Sequence, residues 1–85
     1  MVQSIKVISV KPLEQMNLLV RFENGVVKRF NVEPIIKDFP EYEVLRDPAI
    51  FQLVRVEPGG YGVSWSAELD CSEGELWKHG VEVVS

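Results

Sequence analysis

The chain is nearly without the residues on which small active sites and small secreted folds depend: it has one cysteine, Cys71, and one histidine, His79. A lone cysteine cannot close an intrachain disulfide, which excludes a disulfide-stapled secreted domain. One thiol and one imidazole are too few for zinc, which takes three or four such ligands. Long apolar runs are also missing. No stretch reaches the ~18 to 20 residues that span a bilayer, and Lys6 interrupts the opening segment where a signal-peptide core would lie. The expected location is cytoplasmic, without membrane contact. Phosphate cradles are absent too: Gly59, Gly60 and Gly62 sit in a turn, with no Lys-Ser or Lys-Thr pair after them.

What is present fits one small domain spanning residues 1–85. Hydrophobic residues make up 46% and charged residues 26% of the 85, ordinary values for a chain that folds by itself. At this size roughly 60 to 65% of the unfolded surface is buried, so stability is modest. The net charge of −4 is unevenly spread. Residues 1–32 carry Lys6, Lys11, Arg21, Lys28 and Arg29 against Glu14 and Glu23, a balance of +3. Residues 33–85 carry eleven carboxylates against Lys37, Arg46, Arg55 and Lys78, a balance of −7 that suits a basic partner better than a phosphate backbone.

Alternating apolar residues predict strands over Ile5 to Val10, Met16 to Phe22 and Val26 to Val32, the last two joined at Glu23, Asn24 and Gly25. A two-residue turn would place Arg29, Asn31 and Glu33 on the apolar face. A three-residue loop with Gly25 left-handed sets Phe22 opposite Val26 and Leu18 opposite Phe30, and makes that face coherent except for Lys28, expected to snorkel from an edge strand. Pro34 opens a short helix that Pro40 stops, and Asp47 caps another that begins at Pro48 and turns Ile50 and Phe51 inward. Leu53 to Glu57 and Tyr61 to Trp65 read as a second hairpin, with Tyr61, Val63 and Trp65 on one face. Ser72 and Glu75 form a capping box for a helix over Glu73 to His79, with Cys71 stapled to Leu76 and Gly80 at the C′ position. Val81 to Val84 either add an edge strand or trail off. The fold class expected is α+β, a meandering antiparallel sheet of about five strands with two or three short helices.

No arrangement of these residues points to catalysis, and a non-enzymatic protein without cofactor or metal is expected. Cys71 and His79 fall at opposite ends of the last helix, roughly 10 Å apart along its axis at 1.5 Å per residue. The carboxylates Glu33, Asp38, Glu41, Glu43 and Asp47 lack calcium-loop spacing. Pairs such as Glu41 with Glu43 or Glu68 with Asp70 have neither a nucleophile nor an oxyanion donor beside them. A small-molecule site would need an apolar pocket beside Trp65. Protein binding has the better support: Glu41, Tyr42, Glu43 and Asp47, with Trp65, combine steering charge with the residue types that anchor interfaces. The alternative is nucleic-acid association through Lys6, Lys11, Arg21 and Arg29 on the outer hairpin face, which has no exposed stacking ring.

The ordered residues Ile5, Val7, Pro12, Leu13; Leu18, Val20, Phe22, Gly25; Leu45, Asp47, Pro48, Phe51; and Val63, Trp65, Leu69, Asp70, Leu76 resemble the prokaryotic family called domain of unknown function 2442, over nearly the whole chain. The resemblance implies a compact α+β fold with a meandering antiparallel sheet and small helices, and implies no activity or catalytic residue. Family members occur alone, beside small toxin-like partners in presumed toxin and antitoxin pairs, or ahead of a helix-turn-helix domain. An antitoxin-like or regulatory partner of a small basic protein is therefore one form the expected interaction module can take, the basic partner being suggested by the acidic half of the chain. No such DNA-reading domain follows within these 85 residues. Ser66, Ala67 and Glu68 fill the stretch between tryptophan and aspartate that is polar or glycine-containing in the family.

Overall fold

The computed structural model describes residues 5–83, so Val84, the expected end of the last strand, lies outside the described residues. Two antiparallel sheets replace the single five-stranded meander. The first contains β1 (Val7–Pro12), β2 (Asn17–Phe22), β3 (Val27–Asn31) and β7 (Val81–Glu82), in the order β1-β2-β3-β7. The second contains β4 (Arg55–Val56), β5 (Gly62–Ser66) and β6 (Leu69–Ser72). Between β3 and β4 the chain passes through α1 (Glu33–Asp38), a 3-10 helix (Pro40–Arg46) and α2 (Pro48–Phe51), where prolines withhold the amide donors a strand would need. The last helix, α3 (Glu73–His79), stands between β6 and β7.

The β2–β3 hairpin has the expected register. Phe22 N–H donates to Val26 O (2.9 Å) and Gly25 N–H to Phe22 O (3.0 Å), with Gly25 at φ 89° and Leu18 opposite Phe30. Asn24 completes the loop by accepting from Val26 N–H at 3.1 Å. The face so defined supplies Leu18, Val20, Phe22, Phe30 and Val32 to one core, which Val63, Trp65, Leu69 and Cys71 of the second sheet and Ile36, Leu45, Phe51 and Leu76 of the helical segments complete.

Lys28 is not at an edge. β7 lies outside β3, and the Lys28 ammonium instead reaches the end of α3, donating to Trp77 O at 2.6 Å. A cation suits that position, because the last carbonyls of a helix lack amide partners. Tyr61 also departs from expectation. It closes the turn before β5 begins and is exposed, so it does not share the buried face of Val63 and Trp65. Pro34 stands second rather than first in α1, after Glu33. Asp47 accepts from Ala49 N–H (2.9 Å) and Ser72 Oγ from Glu75 N–H (3.2 Å), as capping requires. Glu75 does not complete the box but lies 3.6 Å from His79 Nε2. Gly80 keeps φ at −74°, so it ends α3 without a left-handed residue.

The β1–β2 turn carries an unusual backbone. Gln15 and Met16 are both left-handed, at φ 58° and 62°. Asn31 Nδ2 holds the turn through Gln15 O (3.3 Å) and Asn17 Oδ1 (3.0 Å), and Val32 N–H donates to Met16 O at 2.9 Å.

Candidate functional site

The 3-10 helix sorts the acidic segment into stripes. With three residues per turn, side chains at i and i+3 stand one above the other. Phe39, Tyr42 and Leu45 share one stripe, and Leu45 is fully buried. Glu43 and Arg46 share the second: Arg46 Nε donates to Glu43 (2.7 Å), and its other two nitrogens hold Glu33 at 2.9 and 3.0 Å. These hydrogen bonds keep the Glu33 carboxyl below the usual carboxylate range. Glu41, Val44 and Asp47 form the third stripe, exposed throughout.

The five residues expected to bind a partner are therefore divided. Glu41 and Val44 face outward together, Val44 at 47% exposure, and Phe39 at 51% lies at the start of the segment. Glu43 is engaged by Arg46, and Asp47 is partly occupied in capping α2. Tyr42 is a bracket rather than a free anchor: its hydroxyl donates to Asp70 O at 3.0 Å, and burial raises the phenol pKa. Trp65 is 3% exposed, its Nε1 donates to Phe51 O at 3.0 Å, and its ring stacks on Phe51 with centroids 6.1 Å apart. It belongs to the core and is not available to a partner. Val44 and Phe39 were not anticipated as contacts. The spacing that reveals them is three, visible only once Pro40–Arg46 is read as 3-10 instead of loop.

The outer face of the first sheet is basic, as the register requires. Lys11, Leu19 and Arg29 form one cross-strand row, and Ser9, Arg21 and Val27 the next. Lys6 does not join them, because its ammonium lies 5.2 Å from the Tyr61 ring centre. Among the described residues Lys11, Arg21 and Arg29 make no ion pair. No aromatic ring lies in either row, and Val81 extends the first of them.

Cys71 is buried in β6, and burial pushes its thiol pKa up to about 12, the reverse of an activated nucleophile. Among the described residues no three Cys, His, Asp or Glu side chains converge as a metal-holding group. Two clefts on the surface are lined by residues other than Trp65, which is itself buried. No helix among the described residues is long and apolar enough to cross a membrane.

These features define a small α+β domain of two antiparallel sheets and short helices, with an acidic, partly apolar segment and a basic sheet face. The chain belongs to the family described as Protein of unknown function (DUF2442), whose model matches residues 7–82. No match was found among curated proteins or solved structures.

Proposed function

We propose that this chain is a non-enzymatic protein-interaction module, an antitoxin-like or regulatory partner of a small basic protein, which it binds through Glu41, Val44 and their neighbours Phe39 and Glu43. The observation that carries this reading is the exposed Glu41–Val44–Asp47 stripe. An apolar side chain at 47% exposure between carboxylates offers both a desolvated contact and electrostatic steering. Capture of partners from the native cell at about 50 mM salt, where surface charge is weakly screened, tests it. Recovery of a basic protein by the natural chain and its loss with Glu41→Lys and Val44→Ser is the expected result. Unchanged capture by both variants refutes the acidic stripe.

A second reading rests on a different surface. The row Lys11, Leu19, Arg29 and the adjacent Arg21 support nucleic-acid association through phosphate contacts, for which binding falls steeply as salt rises. Absence of retained DNA or RNA at about 50 mM salt removes it.

A further inference from the structure

We infer that the cleft bounded by the end of β3, α1 and the C-terminal end of α3 takes an extended basic segment of a partner protein and buries one of its bulky apolar side chains. The inference rests on the protein-interaction reading above and adds a concave anchor point to the exposed Val44 of the acidic stripe.

The sheet ladder gives the first reason. β7 pairs with β3 at Lys28 and Arg29, with a further bond from Val83 N–H to Val27 O at 2.8 Å. Beyond Arg29, β3 continues through Phe30 and Asn31 with no strand on that side among the described residues. Main-chain groups in an antiparallel ladder alternate in direction. Val27 turns its carbonyl to β7, so Arg29 and then Asn31 turn theirs the same way, and those of Asn31 meet no β7 residue. Among the described residues Asn31 therefore presents one free main-chain N–H and C=O at the cleft, to which an extended segment can hydrogen-bond.

The second reason is space. A cleft of about 450 Å³ adjoins this edge, within the ~300–1,000 Å³ of ordinary ligand sites. Phe30, Ile35, Phe39 and Val81 supply its apolar lining, and Phe39 and Val81 are 51% and 68% exposed. Exposed side chains of this size beside a concavity are what a partner's aromatic or branched residue would cover.

Charge gives the third. Asp38 and Glu75 line the cleft against Arg29, two carboxylates facing one guanidinium, with His79 Nε2 3.6 Å from Glu75. Phe39 leads directly into the exposed carboxylates of the 3-10 helix. An extended segment with lysines flanking its apolar residue matches backbone edge, cavity and rim together.

The test uses the full chain, labelled with nitrogen-15, titrated with the peptide acetyl-Lys-Thr-Trp-Thr-Lys-amide and with its counterpart in which glutamate replaces lysine. Amide shifts at Asn31, Ile35, Phe39 and Val81, with the lysine peptide bound about tenfold more tightly, are expected. Asp38→Lys should reverse the preference, and Val81→Lys should abolish binding of the lysine peptide while the spectrum remains that of the folded chain. Equal binding of both peptides, no binding at millimolar peptide, or shifts confined to Glu41 and Glu43 overturn the cleft; the last of these leaves the acidic stripe standing. A dimer in sedimentation that Val81→Lys dissociates also overturns it, because the occupant is then a second copy.

Discussion

Lys28 Nζ lies 2.6 Å from the carbonyl of Trp77 and 3.9 Å from the centre of its ring, so one ammonium closes the end of α3 and covers the indole. The two residues are 49 positions apart, and they tie the central hairpin to the last helix. Phe22 also meets Trp77, the two rings T-shaped with centroids 5.0 Å apart. Lys28→Met keeps the stem but removes the charge-assisted hydrogen bond and the cation–π contact, and should cost about 2 kcal/mol in urea unfolding. Lys28→Arg should cost less.

Gly62 and Gly74 should respond in opposite directions to alanine. A β-carbon at Gly62, where φ is 143°, would run into Cys71 O, so β5 and β6 would have to part. A loss above about 3 kcal/mol is expected. Gly74 in α3 has open space around it and an ordinary helical backbone, and Gly74→Ala should raise stability by about 0.5 kcal/mol.

Ser64 should be better replaced. It is 1% exposed in the middle of β5, between Arg55 and Asp70 in the ladder, and its hydroxyl has no hydrogen-bond partner among the described residues. Removing a buried, unsatisfied hydroxyl should gain about 1 kcal/mol. An unfolding midpoint for Ser64→Ala at or below that of the natural chain contradicts this account.

Cys71 should resist thiol reagents at pH 8 and react only as fast as the domain opens. Its folded pKa of about 12 exceeds the ordinary 9.0, so the folded state holds the proton more tightly than the unfolded one. The sign follows: the contribution is complete below pH 9 and is lost as pH rises towards 12. Stability profiles of the natural chain and Cys71→Ala should converge over that range.

The turn at Gln15 and Met16 holds two side chains in a backbone region costing roughly 1 to 2 kcal/mol for each ordinary residue. Asparagine tolerates it better, so Gln15→Asn should raise the melting midpoint, by about 0.5 kcal/mol in free energy.

The hairpin and the caps were legible because their signals are local. Gly25 allows one loop geometry, and the positions of Phe22 and Phe30 leave one register that buries both. Asp47 and Ser72 cap helices through bonds two and three residues away. β6 was not legible: its buried residues, Leu69 and Cys71, are only two, and its last residue, Ser72, already serves α3. The split into two sheets depends on where β4 to β6 dock, which no local pattern records. The candidate site was half visible. Charge marked Glu41 and Glu43, whereas residue type alone could not separate a core tryptophan from an interface one. Trp65 is settled by Phe51, fourteen positions earlier, which accepts its indole N–H.

The pairing of Lys28 with Glu82 spans 54 positions, and β3 has no neighbour on that side until β7 arrives. At roughly 5 to 20 residues per second, synthesis needs on the order of 3 to 11 seconds to supply the missing strand. Throughout that interval the nascent hairpin shows an unpaired edge, the feature by which chains recruit one another into aggregates. A ribosome that stalls before residue 81 therefore holds out a sticky product, and the yield of this small domain in a cell should depend on how quickly the codons between β3 and β7 are read.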